Sequence, residues 1–192
     1  MRNKCCSSMV IAIDGMSAAY KTTVSDILCH MLGASVIHCD DFFLPVDMRT
    51  EERLKQPGGN IHYERLKEEV VDNLRSGKGI EYRKFSCRTM DYEGSVWVPP
   101  GDVYIVEGAY ALHPYLGKYY DMAVFMKVEP AVQLERIRKR NGDITGFQNR
   151  WIPMEMNYIR EYGIEAKADI IADTTRCSGE DAARMIRDRI IK

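Results

Sequence analysis

Five short runs rich in valine and isoleucine recur along the chain: MVIAID (9–14), ASVIHCD (34–40), DVYIVEG (102–108), DMAVFMKV (121–128) and ADIIAD (168–173). Runs that are apolar on both faces suit strands buried on both sides, the environment of a parallel sheet covered by helices. Helical patterns over 21–32, 62–76, 130–140, 149–163 and 179–191 fall between them. This alternation predicts an α/β three-layer fold with a central parallel sheet. Two stretches interrupt it. Residues 78–99 alternate around Glu93-Gly94 and read as a β-hairpin excursion, and residues 49–66, with Pro57 and the pair Gly58-Gly59, read as a loop before a helix. With no repeat and no linker, 1–192 reads as a single domain.

The first run leads into VIAIDGMSAAYKTT (10–23), close to the phosphate-binding motif G-x-x-x-x-G-K-[ST]. Gly15, Ser17, Ala18, Ala19, Tyr20, Lys21, Thr22 and Thr23 form the candidate ATP-binding segment. Lys21 can reach terminal phosphates, the Thr22 hydroxyl can ligate Mg²⁺, and the helix that starts there turns its positive dipole end toward the anion. Tyr20 stands where the motif has glycine. If the backbone there needs positive φ, a bulky residue costs on the order of 1–3 kcal/mol, so the loop is expected to be either strained or reshaped.

HCDDFFLP (38–45) falls at the carboxyl end of the second run, the edge where open α/β sheets bind ligands. Successive residues there point to opposite sides, so one of Asp40 and Asp41 can face the phosphates and accept a hydroxyl proton; a turn or cap role is the alternative. Glu107 ends another run, where a carboxylate can hold Mg²⁺ directly or through water. Arg136 and Arg140 lie four apart on one helical face, either as a cationic lid over phosphates or as a solvated surface.

Composition narrows the classes. With 27 basic and 28 acidic residues the net charge is -1, so no overall field draws the chain to nucleic acid or to an anionic membrane. The six cysteines form no C-x-x-C pair and the four histidines fall at no zinc spacing, as expected for reduced thiols in a cytoplasmic protein. The apolar run near the N-terminus is too short for a signal peptide, and no segment approaches the ~20 apolar residues of a membrane span.

Taken in order, the near-P-loop, HCDDFFLP, RTEERL, PGGN, YRKFSC, IVEGAYALHP and RIRKRNG resemble the uridine kinase family, related to phosphoribulokinase and pantothenate kinase, over roughly 9–173. The resemblance implies a P-loop NTPase fold that uses ATP and Mg²⁺ to phosphorylate the 5′-hydroxyl of uridine or cytidine. It assigns Asp40 as base, with Thr22, Glu107 and Asp40 toward the metal, and Lys21, Arg136 and Arg140 toward the phosphates, the last two in a lid at about 130–150. It places Asp41, Phe43, His62, Phe85, Cys87 and His113 in the nucleoside pocket, with the hairpin covering it. Departures from the family's pattern are Ala18, Ala19 and Tyr20 for Gly-Ser-Gly, His62 for an acidic residue that contacts the sugar, and Phe85-Ser86 for Tyr-Asp. Two other readings stay open: a kinase for another small alcohol, such as a sugar phosphate or pantothenate, and a non-catalytic nucleotide- or nucleoside-binding protein with a degraded loop. Tyr20 favours the latter; Lys21, Thr22, Asp40 and Glu107 oppose it. A homo-oligomer is compatible with all three.

Overall fold

A computed structural model of the chain describes residues 8–191, so Cys5, Cys6 and the N-terminal stretch before Ser8 lie outside the described residues. Five strands, β1 (Met9–Gly15), β2 (Ser35–His38), β5 (Val103–Glu107), β6 (Met122–Lys127) and β7 (Ile170–Asp173), form one sheet in the order β2-β5-β1-β6-β7. Every pairing in it is parallel, with Val10 opposite Tyr104 on one side of β1 and Ala12 opposite Ala123 on the other. The expected central parallel sheet is therefore present. Because β1 is central and the chain crosses from β5 on one side of it to β6 on the other, the switch point lies at the carboxyl end of β1, where a ligand crevice opens.

Two apolar layers sandwich this sheet. On one face Val24 and Leu28 of α1 (Lys21–Leu32) and Ala182, Ala183 and Ile186 of α6 (Gly179–Ile190) pack on Ile11, Ile13 and Ile105. On the other, Leu66 of α3 (Tyr63–Glu69) and Tyr158 and Ile159 of α5 (Ile152–Tyr162) pack on Val10, Ala12 and Val106. Each fully buried Leu or Ile of these layers contributes about 1.5–3 kcal/mol of transfer free energy. Helix α1 ends because Gly33 takes a left-handed conformation and returns its N–H to Cys29 O, whereas α6 begins on a Ser178–Asp181 capping box. Helix α4 (Pro130–Asn141) follows β6, and a π-helical turn, Phe147–Trp151, leads into α5.

Both irregular stretches differ in detail from the sequence reading. The hairpin exists as β3 (Ile80–Ser86) and β4 (Asp91–Val98), but its turn is at 87–90. Arg83 faces Ser95 while Phe85 faces Tyr92, so β4 carries one extra residue there, and Glu93-Gly94 marks this bulge and not the turn. The stretch 49–66 contains a short helix, α2 (Glu51–Lys55), started by Thr50, whose hydroxyl accepts the Arg53 N–H at 3.1 Å. The Thr-Glu-Glu signal was present in the sequence, overshadowed by Pro57-Gly58-Gly59.

Candidate active site

A cleft of about 720 Å³ opens at the carboxyl ends of β1, β2 and β5. Its phosphate wall is the loop between β1 and α1. Gly15 must be glycine, since a Cβ there would lie 2.0 Å from Met126 O on the adjacent strand. Beyond it, Ala18 (φ 58) and Tyr20 (φ 64, ψ 22) both adopt the left-handed conformation. Of the two outcomes open to a loop without glycine, the structure has the strained one. The backbone keeps a glycine-like path at about 1–2 kcal/mol for each L-residue so placed.

Side chains from distant segments grip this loop. The Arg136 guanidinium lies 4.0 Å over the Tyr20 ring and donates to Ala18 O at 3.1 Å, Thr174 Oγ1 at 3.1 Å and Thr174 O at 2.6 Å. Gln133 donates to Ser17 O at 3.0 Å, and Glu155 Oε2 accepts from both Ser17 N (2.9 Å) and Ser17 Oγ (2.7 Å). Arg136 is thus a tether of the loop, where the sequence reading had a lid residue; Arg140, on the exposed side of α4, lines the cleft 5.6 Å from the Phe147 ring. Burial raises the pKa of Glu155, against the pull of Lys21 and the two Ser17 bonds.

No side chain caps α1, so its first-turn N–H groups have no partner within the helix and are available to an anion. Ser17, Ala18, Tyr20, Lys21, Thr22 and Thr23 line the cleft. Gly15 and Ala19 do not: the first abuts β6 and the second is wholly buried in the apolar layer beneath the loop. Lys21 Nζ donates to Gly15 O and Met16 O, each at 2.9 Å.

Across from the loop, Glu107 is buried, and its Oε1 accepts from Thr22 Oγ1 at 3.2 Å and contacts His38 Nδ1 at 2.6 Å. The hydrogen bond to Glu107 raises the His38 pKa. Asp40 and Asp41 occupy a 3₁₀ turn, Cys39–Phe42, directly after β2. Asp40 opens onto the cleft while protein crowds its other sides, and that crowding raises its pKa against the attraction of Lys21. Asp41 points away and is buried, accepting from Tyr82 OH at 3.0 Å with Lys84 Nζ 3.6 Å away. Among the described residues no cluster of three or more His, Cys, Asp or Glu could hold a metal by itself. Thr22, Glu107 and Asp40 instead offer a few hard oxygen donors, which suits Mg²⁺, an ion that keeps waters and phosphate oxygens in its shell.

The far end of the cleft is aromatic. Phe43 and Trp151 have ring centroids 6.2 Å apart, and Cys87, Asn60 and Tyr110 complete the wall. Of the residues expected in a nucleoside pocket, Phe43 and Cys87 line this cleft, whereas Asp41, His62, Phe85 and His113 do not. His113 is buried, stacked 4.3 Å from Tyr63, and burial lowers its pKa to about 4. His62 caps α3 by accepting the Arg65 N–H at 3.2 Å. Phe85 is buried edge-on against Tyr92 at 5.7 Å.

The sequence reading also missed a buried carboxylate. Asp14 accepts from Gly15 N (2.6 Å), Tyr110 N (3.2 Å), Leu112 N (2.9 Å) and Tyr158 OH (2.7 Å), fastening the segment after β5 to the end of β1. Burial raises its pKa, opposed by these same bonds. Within a run read as a buried strand, nothing local distinguishes this aspartate.

Strand order, loop and cleft define the class: an α/β fold of the P-loop kinase type. Two solved structures share the fold. One is a possible uridine kinase from Bacillus stearothermophilus, at TM-score 0.67 and 18% identity, covering 87% of this chain and 89% of that one. The other, from Silicibacter sp. TM1040 and described as a candidate fructose transport system kinase, has TM-score 0.64 and 18% identity over 89% of this chain and 92% of that one. In sequence the chain is 30% identical over 143 residues to uridine kinase-like protein 4 of Arabidopsis thaliana, covering 69% of this chain. It spans only 30% of the length of that relative. No protein-family profile matches the chain. The resemblance to uridine kinase-like proteins read from the motifs is borne out by these relatives.

Proposed function

We propose that the chain is an ATP- and Mg²⁺-dependent kinase for a small alcohol, and that the acceptor is the 5′-hydroxyl of a pyrimidine nucleoside. The observation that carries this reading is the convergence, on one cleft, of the phosphate loop with Lys21, the Thr22–Glu107 oxygen pair, Asp40 and an aromatic end that suits a flat base. In this reading the acceptor oxygen bonds to the γ-phosphorus as the bond to the β-phosphate bridging oxygen breaks, ADP leaves, and Asp40 takes the hydroxyl proton. A raised pKa makes Asp40 a better base than an ordinary surface carboxylate. Lys21, Arg140 and the α1 N–H groups compensate charge on the transferring group, and bound Mg²⁺ would add to this through Thr22 and Glu107.

One observation favours the non-catalytic alternative: Glu155 already occupies the N–H and O–H of Ser17 in the phosphate wall, placing a carboxylate near where phosphates would lie. Incubation of the protein with Mg-ATP and a panel of nucleosides, sugar phosphates and pantothenate, with product detection by mass, tests both. Phosphorylated uridine or cytidine is the expected product. Binding of Mg-ATP with no product from any acceptor would establish the alternative.

A further inference from the structure

Asn60 sits in a turn held rigidly from several sides. Arg53 donates through Nε to Gly59 O at 3.0 Å and through Nη2 to Ile61 O at 3.0 Å, while its Nη1 pairs with Glu64 at 2.6 Å. Gly59 passes so close to Arg53 that a Cβ would lie 1.8 Å from Arg53 O. Leu44 N donates to Asn60 O at 3.1 Å, His62 N to Phe42 O at 2.7 Å, and Phe43 bridges Ile61, so the turn is zipped to the segment that bears Phe43. With its backbone so fixed, Asn60 lines the cleft next to the segment that bears Phe43.

Asn60 is 5% exposed, yet neither its Nδ2 nor its Oδ1 makes a hydrogen bond of standard geometry within the protein. Its polar neighbour is the Tyr110 hydroxyl, a contact outside standard hydrogen-bond geometry that opposes part of the rise burial imposes on that phenol's pKa. Buried amides are almost always bonded, so one that has no protein partner and lines a ligand cleft is open to a polar edge brought by the ligand. Tyr110 beside it is itself held at φ 78, an uncommon conformation for a bulky residue and one that clusters at ligand sites. The carboxamide offers a donor and an acceptor side by side in one plane. Its complement is a planar ring edge with an N–H next to a carbonyl, or a ring nitrogen next to an amino group, and a half-turn of the amide serves either.

Resting on the nucleoside kinase reading, we infer that Asn60 is the specificity-determining residue that reads the hydrogen-bonding edge of a pyrimidine base lying against Phe43 and Trp151. A uracil edge would give its N3–H to Oδ1 and accept from Nδ2 at a carbonyl. A cytosine edge would reverse both bonds.

The test is calorimetric titration of the full chain with uridine and with 3-methyluridine, in which the ring N–H is blocked, for wild type, Asn60→Ala and Asn60→Leu. Wild type should prefer uridine by about tenfold or more, since the blocked analogue leaves buried polar groups unpaired. Both variants should lose about tenfold in uridine affinity and keep their affinity for a non-hydrolysable Mg-ATP analogue. Neither should lose much stability for want of a hydrogen bond, because no bond of standard geometry is removed. Asn60→Leu keeps the branched outline of the side chain, so a cavity left in the alanine variant is separable. Unchanged uridine affinity in the variants, or equal wild-type affinity for the two ligands, overturns the role of Asn60 and leaves the kinase reading standing. Wild type that binds the Mg-ATP analogue but not uridine overturns the nucleoside reading and this inference with it.

Discussion

The two walls of the cleft reach the same end, a fixed loop, by opposite means. The phosphate wall has left-handed Ala18 and Tyr20 without glycine, held by Arg136, Gln133 and Glu155, which lie more than a hundred residues away in the chain. The acceptor wall is stitched mostly from nearby: Arg53 closes the turn at Gly59 to Glu64, and Phe43 pairs with Ile61. At longer range Arg65 donates to Asp41 O at 2.6 Å and to Arg83 O, and Tyr82 OH donates to Asp41 at 3.0 Å, so that both join the Asp40 turn to the hairpin. The difference teaches that the geometry of the phosphate wall depends on assembly of the whole domain, whereas that of the acceptor wall is largely a local property.

The largest expected effect lies on the acceptor wall. Asp40→Asn should lower phosphoryl transfer by a factor of about 10² to 10⁴, the usual contribution of a positioned general base. It should not lower the melting temperature, because crowding raises the pKa of this carboxyl and a neutral amide removes that penalty. Near-normal turnover measured by product mass would remove Asp40 from the base role.

Next in size is Arg65→Ala. Arg65 is 3% exposed, so truncation leaves the Asp41 and Arg83 carbonyls without their donor, at about 1–3 kcal/mol each, while Glu69 keeps its pairing with Arg83. Chemical denaturation should show this loss, and a change below about 1 kcal/mol would mean that the joint between turn and hairpin is not held by the guanidinium.

On the phosphate wall the effects should be smaller and opposite in sign. Glu155→Gln keeps acceptor capacity toward Ser17 and removes a negative charge, so affinity for a Mg-ATP analogue should rise by about tenfold, roughly 1.4 kcal/mol. The pH dependence has a definite sign. Burial raises the folded-state pKa of Glu155 above its ordinary 4.5, so the ionised carboxylate destabilises the folded state above that raised pKa. The melting-temperature advantage of the glutamine variant should therefore be full above the raised pKa and fade as pH falls through it toward 4.5. An advantage independent of pH would place its origin elsewhere.

Tyr20→Gly should change least. Relief of about 1–2 kcal/mol of left-handed strain is offset by loss of the Arg136–Tyr20 contact and by the greater unfolded-state freedom of glycine. Affinity for the Mg-ATP analogue should stay within about threefold and the melting temperature should change by a few degrees at most. A tenfold gain in affinity would show that the tyrosine distorts the cradle in spite of its grip.

Much of this arrangement was legible in the sequence. The five strand runs, the loop at the end of the first and the opposed placement of Asp40 and Asp41 follow from periodicity and chain order. Arg136 and Arg140 share a helical face, but spacing cannot tell which of them meets the loop; the answer came from Thr174, which follows β7 and supplies two of the acceptors of Arg136. Glu155 reads locally as one polar position of an amphipathic helix, and only the packing of α5 over the phosphate loop turns it onto Ser17. The Glu93-Gly94 pair was a real signal for left-handed backbone, placed at a bulge instead of at the turn because both features use the same residues.

The sequence by itself determined the strands, the helices between them and the sheet edge where chemistry-bearing residues gather, because periodicity and chain direction are local quantities that survive in any window of the chain. Only the tertiary structure decided that Tyr20 can follow a glycine's path, that Glu155 faces Ser17 and that Asn60 lies buried without a partner. Those outcomes depend on contacts between residues far apart in the chain, and a strained backbone or an unpaired amide persists only where the surrounding packing over-determines it.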